Sequence, residues 1–286
     1  PKVALSSGVS NRVIYLHMDQ FRDKSPFVTD KAGKPLDKNP LRDARVRKAL
    51  SMLINRPAIV ARVMEGIAIP AGQLLPEGFF GRSTKLSPEA HNVAGAKKLL
   101  AEAGWGDGFG ITLHGPNDRY VNDEAICTAA AAMLSKVGVK VKLLAQPKAK
   151  FFPKVLAPNL DYSMFLLGWT PGSLEAGNVL RDLFYCPRAS KGEAIWAKDS
   201  RNKVGKGKFN LGGYCNPALD ALTDQILSET NMKKRDEMIT KAMGITVDDA
   251  AYVTLHQQAL AWGVAKGVNV KQRGDNVFDW RYVMID

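Results

Sequence analysis

The run Tyr162–Leu167 is short, apolar and bounded by Asp161 and Gly168, which predicts a strand buried on both faces. In open α/β sheets ligands bind beyond the carboxyl ends of the strands, and this end carries Trp169, Thr170, Pro171 and Gly172. From the residues alone, Trp169 is equally the wall of a site or a cap on the core. The segment runs on to Cys186, and Cys215 follows in Gly213-Tyr214-Cys215-Asn216-Pro217. These two cysteines can close a disulfide around a basic loop.

Helix and strand signals alternate along the rest of the chain, which argues for α/β with crossovers. Asn39-Pro40 opens a helix over Leu41–Ile54, and a second over Arg56–Glu65 stops at Gly66. Ser87-Pro88-Glu89 reads as the N-cap and first turn of a third helix, ended by Gly104. Ile111–His114 reads as a strand, Asp123–Val137 as a helix broken by Gly138, and Val139–Leu144 as a strand with one polar face. Further helices are expected at Lys148–Leu156, Asn216–Glu229 and Met232–Val247. Strand-like pieces sit at Arg12–His17, Tyr252–Leu255, Ala259–Ala265 and Trp280–Ile285. The apolar strands at both ends need neighbours beyond this chain. It opens Pro1-Lys2-Val3, without an initiator Met or signal-type segment, which reads as a processed or trimmed start.

At 286 residues with 45% hydrophobic content, the chain can build one large α/β domain or two smaller ones. No apolar run approaches the roughly 20 residues that span a bilayer, so it reads as soluble. Forty basic against twenty-eight acidic residues give +12, which raises a nucleic-acid reading. The clustering argues against it. The densest basic run, residues 198–208, contains glycine, lacks interleaved aromatics and reads as a solvated loop. The charge favours anionic ligands without defining a site.

Catalytic constellations are scarce. His17, His91, His114 and His256 share no metal spacing, and the cysteines have no partner motif for zinc, so neither metal nor cofactor is expected. The glycine-rich run from Gly104 to Gly110 follows a helix and leads to a strand, the reverse of a phosphate-binding turn. Cys127, inside an apolar helix pattern, reads as a free buried thiol. A disulfide between Cys186 and Cys215 would close about 30 residues, contribute roughly 3–4 kcal/mol and place the chain in an oxidising compartment.

One ordered series of motifs carries a family resemblance. It begins with Asp43-Ala44-Arg45-Val46-Arg47-Lys48-Ala49-Leu50 and Leu53-Ile54-Asn55-Arg56-Pro57-Ala58-Ile59-Val60. It continues through Ala96–Gly104, Leu134–Val139, Gly168-Trp169, Asn216–Asp220 and Tyr252–His256. In this order the series resembles the extracellular solute-binding proteins of peptide-type ABC importers. Members are two-lobed clamps about twice this length, so the chain resembles their carboxyl-terminal half. The resemblance implies a type II periplasmic-binding-protein-like lobe with a mixed sheet flanked by helices. It divides the chain into a strand and hinge segment of the first lobe at 1–20, the second lobe at 21–255, and strands returning to the first at 256–286.

It also implies a function: a periplasmic or extracytoplasmic, monomeric, non-enzymatic substrate-binding component. Such a component captures a small extended solute, a peptide or peptide-like molecule, and delivers it to membrane permease subunits. A basic nucleic-acid binder and a hydrolase with an unrecognised site are the alternatives. Carried over residue by residue, Trp169 matches the tryptophan beside the ligand. Arg119, in Pro116–Asp123, falls where dipeptide-binding relatives hold a peptide carboxylate, a task that suits a guanidinium. Tyr120 and Asn122 flank it, and Thr170, Gly172 and Glu175 follow the tryptophan. The relatives carry an aspartate where Gly172 stands, so the usual contact to a free amino group is missing, and Glu175 is the nearest substitute. The cysteine pair also matches one in dipeptide-binding relatives.

Overall fold

The computed structural model describes residues 2–156, 159–187 and 206–285, so most of the basic run at 198–208 lies outside the described residues. Six strands make the main sheet: β1 (Val3–Met18), β2 (Ile69–Pro70), β3 (Gly110–Pro116), β4 (Lys140–Gln146), β5 (Met164–Trp169) and β6 (Val253–Ala265). Their order is β2-β6-β1-β5-β3-β4. β3 runs parallel to β4 and β5, and the other pairings are antiparallel, so the sheet is mixed.

Strand alternation sends neighbouring side chains to opposite faces, and each face has its own core. Ile14, Leu16 and Met18 of β1 join Met164 and Leu166 of β5 under α1 (Ala44–Leu53), α2 (Arg56–Arg62), α3 (Val93–Glu102) and α4 (Asp123–Leu134). Val13 and Tyr15 join Phe165 and Leu167 on the other face. Their cover is α5 (Lys148–Val155), α6 (Ala176–Val179), α7 (Pro217–Ser228) and α8 (Met232–Asp248). The two-sided burial expected of Tyr162–Leu167 is therefore what the sheet provides. Side-chain caps start most of these helices: Asn55 accepts from Ala58 N at 3.0 Å, and Asn216 and Asn231 act alike.

The resembling helix pair is fastened by a buried cation. Arg56, 1% exposed, donates to the carbonyls of Thr254 (2.7 Å), Ser51 (3.1 Å) and Glu89 (3.2 Å), tying α1 and α2 to β6. Burial pulls its guanidinium down to about 10.

Three expectations need correction. The third helix starts at Val93 with Asn92 as its cap, not at Ser87. The Glu89 carbonyl is held by Arg56 and its carboxylate by Lys48, and Gly72 packs against the Ser87 backbone, which pins this stretch outside the helix. Second, the pieces expected at Tyr252–Leu255 and Ala259–Ala265 are joined in one strand, β6, which starts at Val253. Its polar middle is buried because Gln257 Nε2 donates to the Ser10 carbonyl and its Oε1 accepts from Glu77 N. Third, Trp280–Ile285 is a short 3₁₀ turn followed by β8 (Val283–Ile285), which pairs with β7 (Val268–Val270) in a separate hairpin.

Both long strands outrun the sheet. From Val3 to Val9, β1 pairs only with Ala259–Ala265 of β6, and there burial gives way to exposure in both strands. This ribbon and the hairpin expose Leu5 (71%), Trp280 (78%) and Ile285 (81%).

Cys186 and Cys215 form a disulfide with Cα atoms 4.4 Å apart. Cys127 is free and buried, and burial raises its thiol well above its ordinary value. The glycine-rich run is a turn in which Gly108, at φ +83°, packs so closely on Gly138 that no side chain fits.

Candidate ligand-binding site

β5 and β3 point the same way, so Trp169 and the loop after Pro116 lie at one end of the sheet. The register Val13↔Trp169 makes this the end from which the ribbon departs. In that loop the buried Asp123 carboxylate accepts the amides of Arg119 (2.8 Å) and Tyr120 (2.9 Å), fixing both residues before α4. Asn122 adopts φ +56°, and its side-chain amide donates to the Val63 carbonyl at 2.7 Å.

Gly168 brings the parts together. A β-carbon there would lie 2.7 Å from Arg12 Cδ and 2.9 Å from Tyr120 Cε1, so both side chains pass directly over its backbone. Arg12 Nε donates to Thr170 Oγ1 at 3.1 Å, and its guanidinium carbon lies 5.6 Å from the Tyr120 ring centre. That of Arg119 lies 5.0 Å from the same centre. Arg119, Tyr120, Thr170 and Arg12 therefore form one cluster. Burial lowers the Arg12 guanidinium from its ordinary value, and the Arg119 charge lowers it further. Burial likewise raises the Tyr120 hydroxyl.

Trp169 sits on the other face of the same strand end. Its ring meets Phe209 at 5.0 Å between centroids, and Lys208 Nζ lies 5.1 Å from the Phe209 ring centre. The indole N–H is buried without a partner among the described residues.

The remaining expected residues point elsewhere. Gly172 N donates to Asn178 Oδ1 at 3.0 Å, and a β-carbon on Gly172 would find its nearest neighbour 3.7 Å away. Glu175 is ion-paired with Arg235 of α8 at 2.7 Å. Sequence reasoning missed Arg12. Nothing near it marks a site, and only the β1–β5 register brings it to residues more than 150 positions away. Among the described residues, no group of three or more His, Cys, Asp or Glu side chains is placed to hold a metal. No helix among them is long and apolar enough to cross a membrane.

Residues 2–191 match the family model described as bacterial extracellular solute-binding proteins, family 5 Middle. The chain belongs to this solute-binding family. It is 25% identical over 236 residues to the dipeptide-binding protein of Escherichia coli (strain K12), covering 82% of this chain and 41% of that one. It is 27% identical over 230 residues to the glutathione-binding protein GsiB of Pectobacterium atrosepticum, covering 79% and 40%. The chain thus spans about two fifths of the length of these curated relatives. Among solved structures, it superposes on the periplasmic binding protein DppA from Helicobacter pylori in complex with the peptide STSA. That match has a TM-score of 0.77 at 18% identity, over 100% of this chain and 49% of the other. The fold is that of a type II periplasmic-binding-protein lobe, with the mixed, helix-flanked sheet expected from sequence. The named relatives are binding proteins rather than enzymes. Membership of an extracellular family puts the chain in the periplasm or an equivalent extracytoplasmic space.

Proposed function

We propose that this chain supplies one lobe of the substrate-binding component of a peptide-type ABC importer. It acts as a monomer, catalyses no reaction, captures a small extended solute, and delivers it to membrane permease subunits. The observation that carries the reading is the shared location of the site and the uncovered ribbon. Arg119, Tyr120, Thr170 and Trp169 gather at the sheet end from which the bare strands project. A ligand there touches one lobe, and the apolar ribbon leads to a second surface able to close over it. In this reading residues 21–255 are the second lobe, while the segments 1–20 and 256–286 carry the connection to the first. The relatives' names, dipeptide-binding and glutathione-binding, support a peptide or peptide-like solute.

Within the site, Arg119 faces a ligand carboxylate, and Trp169 with Tyr120 and Thr170 wall the solute. Gly172 leaves an open position. Glu175 and Asn122 contribute through the scaffold, given the partners they hold. Calorimetric titration of the full-length protein with di- and oligopeptides, sugars and opine-like solutes tests the function. Saturable binding of one class at moderate salt is expected, and no binding by any of them overturns the reading. A steep loss of affinity with added salt toward nucleic acid would instead favour a polyanion binder.

A further inference from the structure

Two guanidinium groups bear on the single ring of Tyr120, and among the described residues neither is paired with a carboxylate. Four acids of the flanking segments are engaged elsewhere. Asp123 holds backbone amides, Asp118 pairs with Lys148, Glu175 pairs with Arg235, and Asp182 is shared by Arg181 and Asn178. Arg12 is held in place by one neutral contact, the Thr170 hydroxyl, and by packing over Gly168. Arg119 is exposed, whereas Arg12 is partly buried beside that like charge with no carboxylate partner among the described residues, an arrangement that costs Arg12 free energy until an anion arrives. Burial and the neighbouring Arg119 both weigh on the charged form of Arg12, which agrees with that cost. On the opposite face Lys208 lies over Phe209, whose ring meets Trp169. At the Gly172 end there is room for a side chain, and Glu175, the acid nearest in sequence, is taken up by Arg235.

We propose that Arg12 is a second anion-binding residue of this site. Its solute then carries two acidic groups, as a dicarboxylate or an amine-blocked acidic peptide does, rather than one carboxylate balanced by an ammonium. The inference rests on reading this cluster as the ligand site, and names the charge class that the site selects. Guanidinium groups suit the task because each offers a planar fork to a carboxylate.

The test is calorimetric titration of the full-length protein with three probes of one backbone: alanyl-alanine, N-acetyl-alanyl-alanine and N-succinyl-alanyl-alanine. These carry, in turn, a balanced charge pair, one carboxylate, and two carboxylates without an amine. The succinyl probe is expected to bind about tenfold or more tighter than the acetyl probe, the scale of one charged hydrogen bond. Arg12→Met should bring the affinity of the succinyl probe down to that of the acetyl probe, and Arg12→Lys should retain part of the preference. Arg119→Met should weaken both blocked probes. Equal binding of the two blocked probes, tighter binding of the free dipeptide, or a preference that survives Arg12→Met overturns the inference alone. Silence of all three probes in a protein that binds another solute class overturns it too. Silence toward every class strikes the transport reading on which it stands.

Discussion

Gly168 lies directly beneath Arg12, with 2.7 Å between the position of an added β-carbon and Arg12 Cδ. The same β-carbon would stand 2.8 Å from Ile14 Cδ1 and 2.9 Å from Tyr120 Cε1. The glycine of the Gly-Trp pair is therefore a clearance that lets a cation and an aromatic ring cross the strand end. Gly168→Ala is expected to push both side chains away. Overpacking of this kind costs about 1–3 kcal/mol of stability. Ligand affinity should fall with it, read by denaturant unfolding and calorimetry on the same variant. An alanine variant of unchanged stability and affinity would show that the clearance is not needed.

The disulfide between Cys186 and Cys215 closes a segment separated by 29 positions. The chain-entropy relation gives it about 3–4 kcal/mol against the unfolded chain. Cys215→Ser should lower stability by that order, and a reducing agent should destabilise the parent protein but not the variant. Because Cys186 N also donates to Asp220 Oδ1 at 2.9 Å, some order at this corner should survive, visible as an unchanged far-ultraviolet spectrum. Equal stability of parent and variant would count against the bridge as a staple.

His17 and His256 are fully buried, and burial lowers their imidazoles to about 3 and about 4. The unfolded chain titrates near the ordinary 6.5, so between these values it binds protons that the folded chain refuses. The stability from neutral burial is complete above about pH 6.5. It is lost as pH falls, down to about 4 for His256 and about 3 for His17. The slope approaches about 1.4 kcal/mol per pH unit for each histidine. Urea midpoints from pH 7.5 to 4 should fall accordingly, and His256→Gln should flatten the slope. A parent slope indistinguishable from that of the variant would remove His256 from the account.

Glu175 was the nearest acid in sequence to the open position at Gly172, yet its carboxylate meets Arg235 on α8. The pair is only partly shielded from water, so Glu175→Gln should cost less than about 1 kcal/mol of stability. Affinity for an amine-bearing peptide should stay unchanged. A selective loss for amine-bearing ligands would return Glu175 to the site.

The features legible in sequence are those set by local chemistry. Tyr162–Leu167 announced its two-sided burial, Asn216-Pro217 its helix start, and the cysteine pair its bridge. Ser87-Pro88-Glu89 carried an equally good local signal and failed, because Arg56 and Lys48 reach in from other elements and hold Glu89. The polar stretch His256-Gln257-Gln258 looked like a break between strands, since its partners at Ser10 and Glu77 come from elsewhere in the chain. The site divided in the same way. Trp169 and Arg119 could be found by motif, whereas Arg12 depends on strand register.

The register of β1 against β6 slips between Val9 and Val13, at the level where the ribbon leaves the sheet. Residues 10–12 find partners outside that ladder: Asn11 N donates to the Gly274 carbonyl at 2.6 Å, and Ser10 Oγ accepts from Arg12 N at 3.2 Å. An irregularity of this kind leaves residues without ladder partners and bends the strand locally. Arg12 is the last residue of this irregular stretch, and its side chain reaches back to Thr170 and Tyr120. The strand that carries the ribbon away from the sheet therefore also sets the position of a charged side chain of the site, so the direction of one and the geometry of the other share a single stretch of backbone.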